Sequence, residues 1–180
     1  MVAPTFDLTE YSLDRRRTRA TPADDESPAY RLDVVAADAV DVVQAAGGWL
    51  YDRVMAGWQV SALIPHGTDA RVARPLGILG VRVVEQTGFT GRGLAVSRAA
   101  FAADARLREI VFNALDDRST DLALWGDGWP LGIDRGMTRV QYVLSAAARV
   151  FKGHALAAAG IGCGSVDPTE TLLSGTAGLG

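Results

Sequence analysis

The sequence predicts an α/β protein built as a three-layer sandwich, with helices on both faces of a small, mostly parallel sheet of four to five strands. Apolar segments of strand length alternate with segments of helical periodicity from residue 31 onwards, the order typical of parallel sheets. A helix, a glycine and a short apolar strand follow one another twice, at Gly57 and Gly80. The strand Gln59 to Ile64 has apolar residues on both faces, which suits a central strand covered by helices on two sides.

The first strand and helix are predicted between residues 31 and 57. Arg31 to Ala36 is an apolar segment of strand length. Asp38 is placed to cap a helix, and Asp41 adds negative charge at the positive end of its dipole. Gly57, free to adopt a left-handed conformation, ends it. Apolar residues recur at three- and four-residue steps and form one helical face: Val40, Val43, Gly47, Leu50 and Val54.

The middle of the chain predicts two more strands and two more helical segments. Pro75 to Leu79 is a short helical piece with proline well placed in its first turn, and Val81 to Val84 is a strand. Leu94 to Val96 is either a short strand or a loop. Ser97 can cap a helix that reaches about Asp116, and Asp104 can instead cap a separate second segment.

The last predicted elements are a strand and one long helix. Asp121 to Trp125 is a compact strand, and Pro130 to Gly136 is a loop. Thr138 to Ala159 is predicted as a single helix. One face of that helix would carry Val140, Leu144, Ala147, Phe151, His154 and Ala158.

The chain is predicted to hold one α/β domain, residues 30–159, between two flexible tails. Residues 1–29 are polar, and residues 160–180 are rich in glycine and poor in apolar residues. The first tail carries the basic cluster Arg15 to Arg19, followed by an acidic cluster. The basic cluster suits an anionic partner, or a solvated arm partly neutralised by its acidic neighbours.

Composition excludes several classes of protein. The net charge of −3 over 180 residues makes nucleic acid an unlikely main partner. Cys163 is the only cysteine, which excludes an intramolecular disulfide and a cysteine-based zinc cluster. No apolar run is long enough for a membrane span, and the acidic N-terminal segment is unlike a signal peptide, so a cytoplasmic location is predicted. Arginine outnumbers lysine so strongly, with Lys152 the single lysine, that a GC-rich bacterial genome is indicated.

The segment Leu50 to Glu85 resembles part of Rossmann-like domains. In these domains a helix, a short glycine turn and an apolar strand follow one another, as in GWQVSALI here. The resemblance implies a Rossmann-like or flavodoxin-like sheet, as in nucleotide-binding oxidoreductases and some glycosyltransferases, and carries no functional residue with it. Where such domains have a G-x-G-x-x-G turn, this sequence has VVAADAVDVV. We therefore predict no cofactor.

Candidate site residues follow from the predicted sheet, because ligands bind outside the carboxyl ends of parallel strands. His66, Asp69 and Arg71 come after the second strand, and Asp127 and Trp129 after the last. They would bring together a proton carrier, carboxylates, an arginine that grips anions, and a partly exposed aromatic wall. Ordinary solvated loops are the alternative interpretation. Catalytic residues are not identified.

Two further features have structural explanations. His154 is expected to be a core or interface histidine, so the two histidines of the chain, His66 and His154, do not predict a metal site. The glycine-rich segment TGFTGRG, residues 87–93, suits phosphate binding through backbone N–H groups, or a plain surface connection.

Three classes of function remain open at this stage, and whether the chain is an enzyme is uncertain. The leading hypothesis is a non-catalytic α/β domain that acts through a protein partner or self-association. The alternative is a small-molecule or nucleotide-type ligand-binding enzyme with its site at the carboxyl rim of the sheet. The third is nucleic-acid binding through Arg15 to Arg19.

Overall fold

The structure, a computed structural model, describes residues 30–175 with gaps at 68, 86–88, 90–91, 118 and 163. These described residues form seven strands and six helices. In chain order they are β1 (Arg31–Val35), α1 (Ala39–Met55), β2 (Gln59–Leu63), α2 (Ala70–Ile78), β3 (Arg82–Val84), β4 (Gly93–Ser97), α3 (Arg98–Ala103), α4 (Ala105–Asp116), β5 (Asp121–Trp125), α5 (Leu131–Gly136), β6 (Thr138–Val143), α6 (Ala146–Ala158) and β7 (Thr169–Ser174).

The strands form one sheet in the order β3-β2-β1-β4-β5-β7-β6. The first five are parallel to their neighbours, and β7 runs antiparallel to both β5 and β6. The order of the parallel strands, 3-2-1-4-5, is that of the Rossmann arrangement and differs from the flavodoxin order. The sheet is therefore mostly parallel, with an antiparallel pair added at one side.

Helices cover both faces of this sheet, because successive residues of a buried strand point to opposite sides. Val34 joins one core and Val35 the other. The first core contains buried residues of α1, α2 and α6, among them Leu50, Leu76 and Leu156. The second contains buried residues of α3, α4 and α5, among them Phe101, Leu107 and Ile133. The predicted three-layer arrangement is confirmed.

The prediction of four to five strands is wrong, since the sheet has seven. The predicted helix from residue 138 to 159 is in fact strand β6 followed by α6, which begins where Ser145 accepts a hydrogen bond from Ala148 N. Part of the predicted C-terminal tail, residues 169–174, is strand β7 in the interior of the sheet. The ordered fold therefore extends beyond residue 159. The predicted tail 1–29 lies outside the described residues.

Helix α1 begins and ends as predicted. The carboxylate of Asp38 accepts a hydrogen bond of 2.7 Å from the N–H of Asp41. Gly57 follows the end of the helix with φ of 90°, a conformation that glycine adopts without strain. No helix in the described part of the chain is long and apolar enough to cross a membrane.

Gly48 brings the middle of α1 against the start of α6. A Cβ atom at this position would lie 2.5 Å from both Cδ atoms of Leu144, a buried side chain. We expect Gly48→Ala to lower the free energy of unfolding by about 1–3 kcal/mol, the usual cost of overpacking, despite the better helix propensity of alanine. Urea denaturation measures the change.

A second helical glycine provides the matched control. Gly77 in α2 has nothing within 4 Å of its Cβ position. Gly77→Ala should therefore raise stability by about 0.5–1 kcal/mol, the effect of propensity alone. A Gly48→Ala variant that is stabilised as much as Gly77→Ala would contradict the close approach to Leu144.

Candidate active site

The connections of the sheet reverse direction between β1 and β4. The chain passes from β1 outward to β2 and β3, then returns to β4 on the other side of β1 and continues to β5. In open parallel sheets this reversal leaves a crevice outside the carboxyl ends of the two central strands, where ligands bind. Here Asp41 follows β1, Ser97 ends β4 and Trp125 ends β5.

Asp41 is held at this crevice by the neighbouring strands. Its side-chain oxygen Oδ2 accepts a hydrogen bond of 3.1 Å from the indole Nε1 of Trp125. Burial raises the pKa of the Asp41 carboxyl, and the charge of Asp38 raises it further, while hydrogen bonds from Trp125 and Ser97 oppose the shift. A partly desolvated carboxyl of raised pKa in a crevice is suited to proton transfer.

Ser97 connects the two central strands at the same point. Its hydroxyl oxygen accepts hydrogen bonds from Ala37 N at 3.4 Å and from Ala100 N at 3.1 Å. The first bond joins the end of β4 to the segment after β1, and the second caps α3. The fully buried Ser97 therefore fixes the spacing of the crevice below Asp41.

Arg98 fixes the loop that follows β5. Its Nε donates a hydrogen bond of 2.8 Å to the carbonyl of Gly128, and its guanidinium lies 5.9 Å from the ring centroid of Trp129. Trp129 donates its own Nε1 to Gly126 O at 2.9 Å and packs on Phe101, with ring centroids 5.0 Å apart. The prediction that Trp129 is partly exposed is therefore wrong: it is 9% exposed.

A cavity of about 380 Å³ lies beside this crevice, between α1, α6 and β7. This volume is within the usual range for small-molecule sites. Its wall is mixed, with nearly equal polar and apolar parts. Polar residues of the lining include Gln44, Lys152, Asp167, Glu170 and Thr171, and apolar ones include Ala45, Trp125, Leu156, Ile161 and Val166. Trp125 contributes to both the crevice and the cavity, because its indole nitrogen donates a hydrogen bond to Asp41 while its side chain lines the cavity.

A buried ion pair forms one wall of the cavity. Lys152 Nζ lies 2.6 Å from Glu170 Oε1, and the two side chains are 7% and 2% exposed. Glu170 also accepts hydrogen bonds of 2.8 Å from the backbone N–H groups of Gly48 and Trp49 in α1. Lys152 Nζ donates at 2.6 Å to the carbonyl of Gln44, the group that Gly48 N–H would use in a regular helix. The pair thus joins α6 and β7 to the backbone of α1. Burial raises the pKa of Glu170, against the opposing effects of Lys152 and the two N–H donors.

The predicted site residues occupy two separate parts of the same rim. His66 is exposed in the turn after β2, with φ of 57°, and its carbonyl accepts from Asp69 N. Asp69 caps α2 by accepting a 2.8 Å hydrogen bond from Arg71 N. Asp127 follows β5 and is exposed, 4.0 Å from Arg139 Nη1. Because β1 and β4 lie between β2 and β5, strand spacing alone puts the two groups roughly 14 Å apart.

Other predicted features lie elsewhere. His154 is exposed on α6, with its ring 6.3 Å from that of Phe151, so the core or interface role predicted for it is not found within this chain. Cys163 and most of the TGFTGRG segment lie outside the described residues. Among the described residues, no three His, Cys, Asp or Glu side chains come together to hold a metal ion.

Sequence reasoning missed the residues that meet at this site. It interpreted Asp41 only as a helix-dipole charge, and nothing in the sequence pairs residue 41 with Trp125, 84 positions away. Lys152 carried one signal, since it is the only lysine in a chain rich in arginine. Such a residue in an otherwise apolar helical face suggests a buried partner.

The pKa of Asp41 predicts a change of stability with pH. The pKa of Asp41 is higher in the folded protein than in the unfolded chain, where it is about 3.9. The protonated carboxyl therefore favours the folded state fully below pH about 3.9, and this contribution to stability is lost as the pH rises through the pKa of the folded protein. Asp41→Asn should therefore gain stability relative to the parent protein as pH rises through that window. Urea denaturation at a series of pH values measures the difference.

Asp117 provides a control of opposite sign. Hydrogen bonds from Ser119 lower the pKa of its carboxyl, so its contribution is present above the unfolded value and lost as pH falls. Asp117→Asn should accordingly lose stability relative to the parent as pH rises. If the difference in stability between each variant and the parent protein did not change with pH, neither pKa would be shifted by folding.

Comparison with known proteins finds similarity of fold but not of sequence. No protein-family model matches the sequence, and no curated protein matches it. Solved structures do match, and they share the α/β fold of this chain. The A40926 pseudoaglycone deacetylase Dbv21 superposes with a TM-score of 0.57 at 12% identity, over 79% of this chain and 96% of that one. The zinc-inhibited form of teicoplanin deacetylase Orf2 gives 0.58 at 11% identity, over 80% and 97%. At these identities the similarity shows the fold alone.

This comparison corrects the leading functional hypothesis. We predicted a non-catalytic domain that acts through a protein partner or self-association. Solved structures that share the fold include deacetylases, which are enzymes. The finding contradicts the non-catalytic interpretation and favours our alternative, an enzyme with its site at the carboxyl rim of the sheet.

Proposed function

We propose that this chain is a small-molecule hydrolase that removes an acyl group at the crevice between β1 and β4, with Asp41 as its proton-transfer residue. The observation that carries the proposal is the carboxyl of Asp41, partly buried at the topological reversal of the sheet and bound by Trp125. The reaction class is supported by the deacetylases that share the fold.

The geometry of Asp41 suits general acid–base chemistry. Trp125 occupies Oδ2 and so fixes the orientation of the carboxyl group. A carboxyl whose pKa is raised by burial is a better proton acceptor and donor toward neutral pH than an ordinary aspartate. Acyl hydrolysis needs such a group twice, first to take a proton from the attacking water and then to give one to the leaving atom.

The residues predicted from the sequence have a secondary place in this proposal. His66, Asp69 and Arg71 lie on one side of the crevice, and Asp127 with Trp129 on the other. We assign them to the outer wall of the site, where they contact parts of the substrate that do not react. No step of the proposal involves a metal or another cofactor.

The test is a panel of small N-acetyl and O-acetyl compounds, with release of acetate as the measurement. We expect release from at least one compound by the parent protein. Asp41→Asn should abolish most of it, whereas Asp117→Asn, a change between α4 and the start of β5 at the opposite edge of the sheet, should leave it nearly unchanged. Absence of release from every compound, or equal release by Asp41→Asn, would overturn the proposal.

A further inference from the structure

The cavity beside the crevice contains a buried amino group with bonding capacity left over. A lysine ammonium has three N–H donors. Two of those on Lys152 are used, by Gln44 O and Glu170 Oε1, both at 2.6 Å. No further acceptor for Lys152 is found in the described part of the chain, and its side chain is only 7% exposed while lining a cavity of about 380 Å³. The third N–H is therefore available to a molecule in the cavity.

The charges around this amino group select the kind of acceptor. Lys152 and Glu170 already balance each other, and Asp167 adds a further carboxylate to the lining. An anionic group placed on Lys152 would lie close to Glu170 with no second cation to compensate it, which is costly in a desolvated place. A neutral carbonyl oxygen accepts the same hydrogen bond without that cost.

The cavity is also linked to Asp41, the proposed proton-transfer residue, through two of its lining residues. Gln44, whose carbonyl holds Lys152, lies three residues after Asp41 on α1, about 4.5 Å further along the helix axis. Trp125 contacts Asp41 and lines the cavity as well. A molecule bound to Lys152 would therefore share the cavity with Trp125, the residue that holds Asp41.

We propose that this cavity is a substrate-binding subsite for a neutral carbonyl group, such as an amide or ester, whose oxygen accepts a hydrogen bond from Lys152 Nζ. That this carbonyl belongs to an acyl substrate rests on the proposed function. That the cavity binds a neutral carbonyl group does not depend on the proposed function. Lys152 is thus a substrate-binding residue in addition to half of a structural ion pair.

The single lysine makes a direct test possible. Full-length protein labelled with lysine carrying ¹⁵N at Nζ contains one such side-chain signal, because Lys152 is the only lysine. We would titrate it with three probes: N-methylacetamide, acetate and methylammonium. We expect a saturable shift of the signal with N-methylacetamide, binding of acetate weaker by roughly tenfold or more, and no saturable shift with methylammonium.

A variant that fills the cavity locates the effect. Ala45 lines the cavity from α1, so Ala45→Leu should weaken the N-methylacetamide response several-fold, while Gly77→Ala, remote from it, should leave the response unchanged. No saturable shift with N-methylacetamide, or an equal response to all three probes, would overturn the subsite. Carbonyl binding without acetate release would instead leave the subsite standing and count against the hydrolase. Acetate release without any shift of the Lys152 signal would support the hydrolase and overturn the subsite.

Discussion

Glu170→Ala is expected to lower the free energy of unfolding by about 3–5 kcal/mol, the cost of removing one partner of a buried ion pair. The loss has two parts. Lys152 would keep its charge in a buried place with Gln44 O as its only remaining acceptor, and the N–H groups of Gly48 and Trp49 would lose theirs. Urea denaturation at neutral pH gives the value.

A double replacement of Lys152 and Glu170 distinguishes the effect of their charges from the effect of the volume that their side chains fill. Lys152→Met with Glu170→Leu removes both charges and keeps apolar volume, and such replacements of buried pairs are often neutral or stabilising. We expect the double variant to recover most of the stability lost in Glu170→Ala. A Glu170→Ala variant destabilised by less than about 1 kcal/mol would show that water reaches the pair in the folded protein.

Asp41→Asn is expected to lower kcat for the acyl substrate by about 10²–10⁴-fold, the usual contribution of a general acid–base group, with little change in KM. The amide keeps an oxygen that accepts from Trp125 Nε1, so the crevice should keep its shape. Steady-state kinetics on the compound found in the acetate-release panel measures both constants.

A second variant tests the role through the pH profile. Trp125→Phe keeps an aromatic ring, although a smaller one, and removes the N–H donor that lowers the pKa of Asp41. Its pH–rate limb should therefore move to higher pH. A merely structural role for Asp41 would leave the limb in place, and a large rise in KM with kcat unchanged in Asp41→Asn would assign the residue to binding.

Local signals were enough for the helices and strands that are apolar and well capped. Asp38 caps the helix that was predicted to follow it, and both glycine-ended helices lead into parallel strands as expected. Between residues 97 and 116 the alternative with a separate second segment is correct, because Ser97 caps α3 and Asp104 caps α4. Leu94 to Val96, for which strand and loop are both predicted, belongs to β4, a central strand buried along its whole length. The apolar pattern is short there because β4 begins with Gly93, the last residue of the glycine-rich segment.

Strands β6 and β7 escaped prediction for physical reasons. In β6 the partly buried Val140 lies four residues before Leu144 and so continues the spacing of the predicted helical face, which made strand and helix look like one periodic element. In β7 the inward position before Leu172 is Glu170, whose charge hides the apolar alternation. A buried charged residue is acceptable only because Lys152 lies opposite, and that contact depends on the tertiary fold.

The predicted site residues and the proposed Asp41 site lie at the same edge of the sheet but at different strands. The sequence indicates which edge to consider, while the pairing of particular strands depends on the strand order. Asp41 and Trp125 meet only because β4, which comes later in the chain than β2 and β3, inserts beside β1 and brings β5 next to it.

The position of β7 has a consequence for synthesis on the ribosome. This strand is the last described element to be made, yet it lies between β5 and β6 and supplies hydrogen bonds to both. Until it emerges, β6 has no neighbour in the sheet and β5 presents an open edge, which favours pairing with other nascent chains. At about 5–20 residues per second, the roughly 25 residues that separate the end of β6 from β7 leave this edge unprotected for seconds.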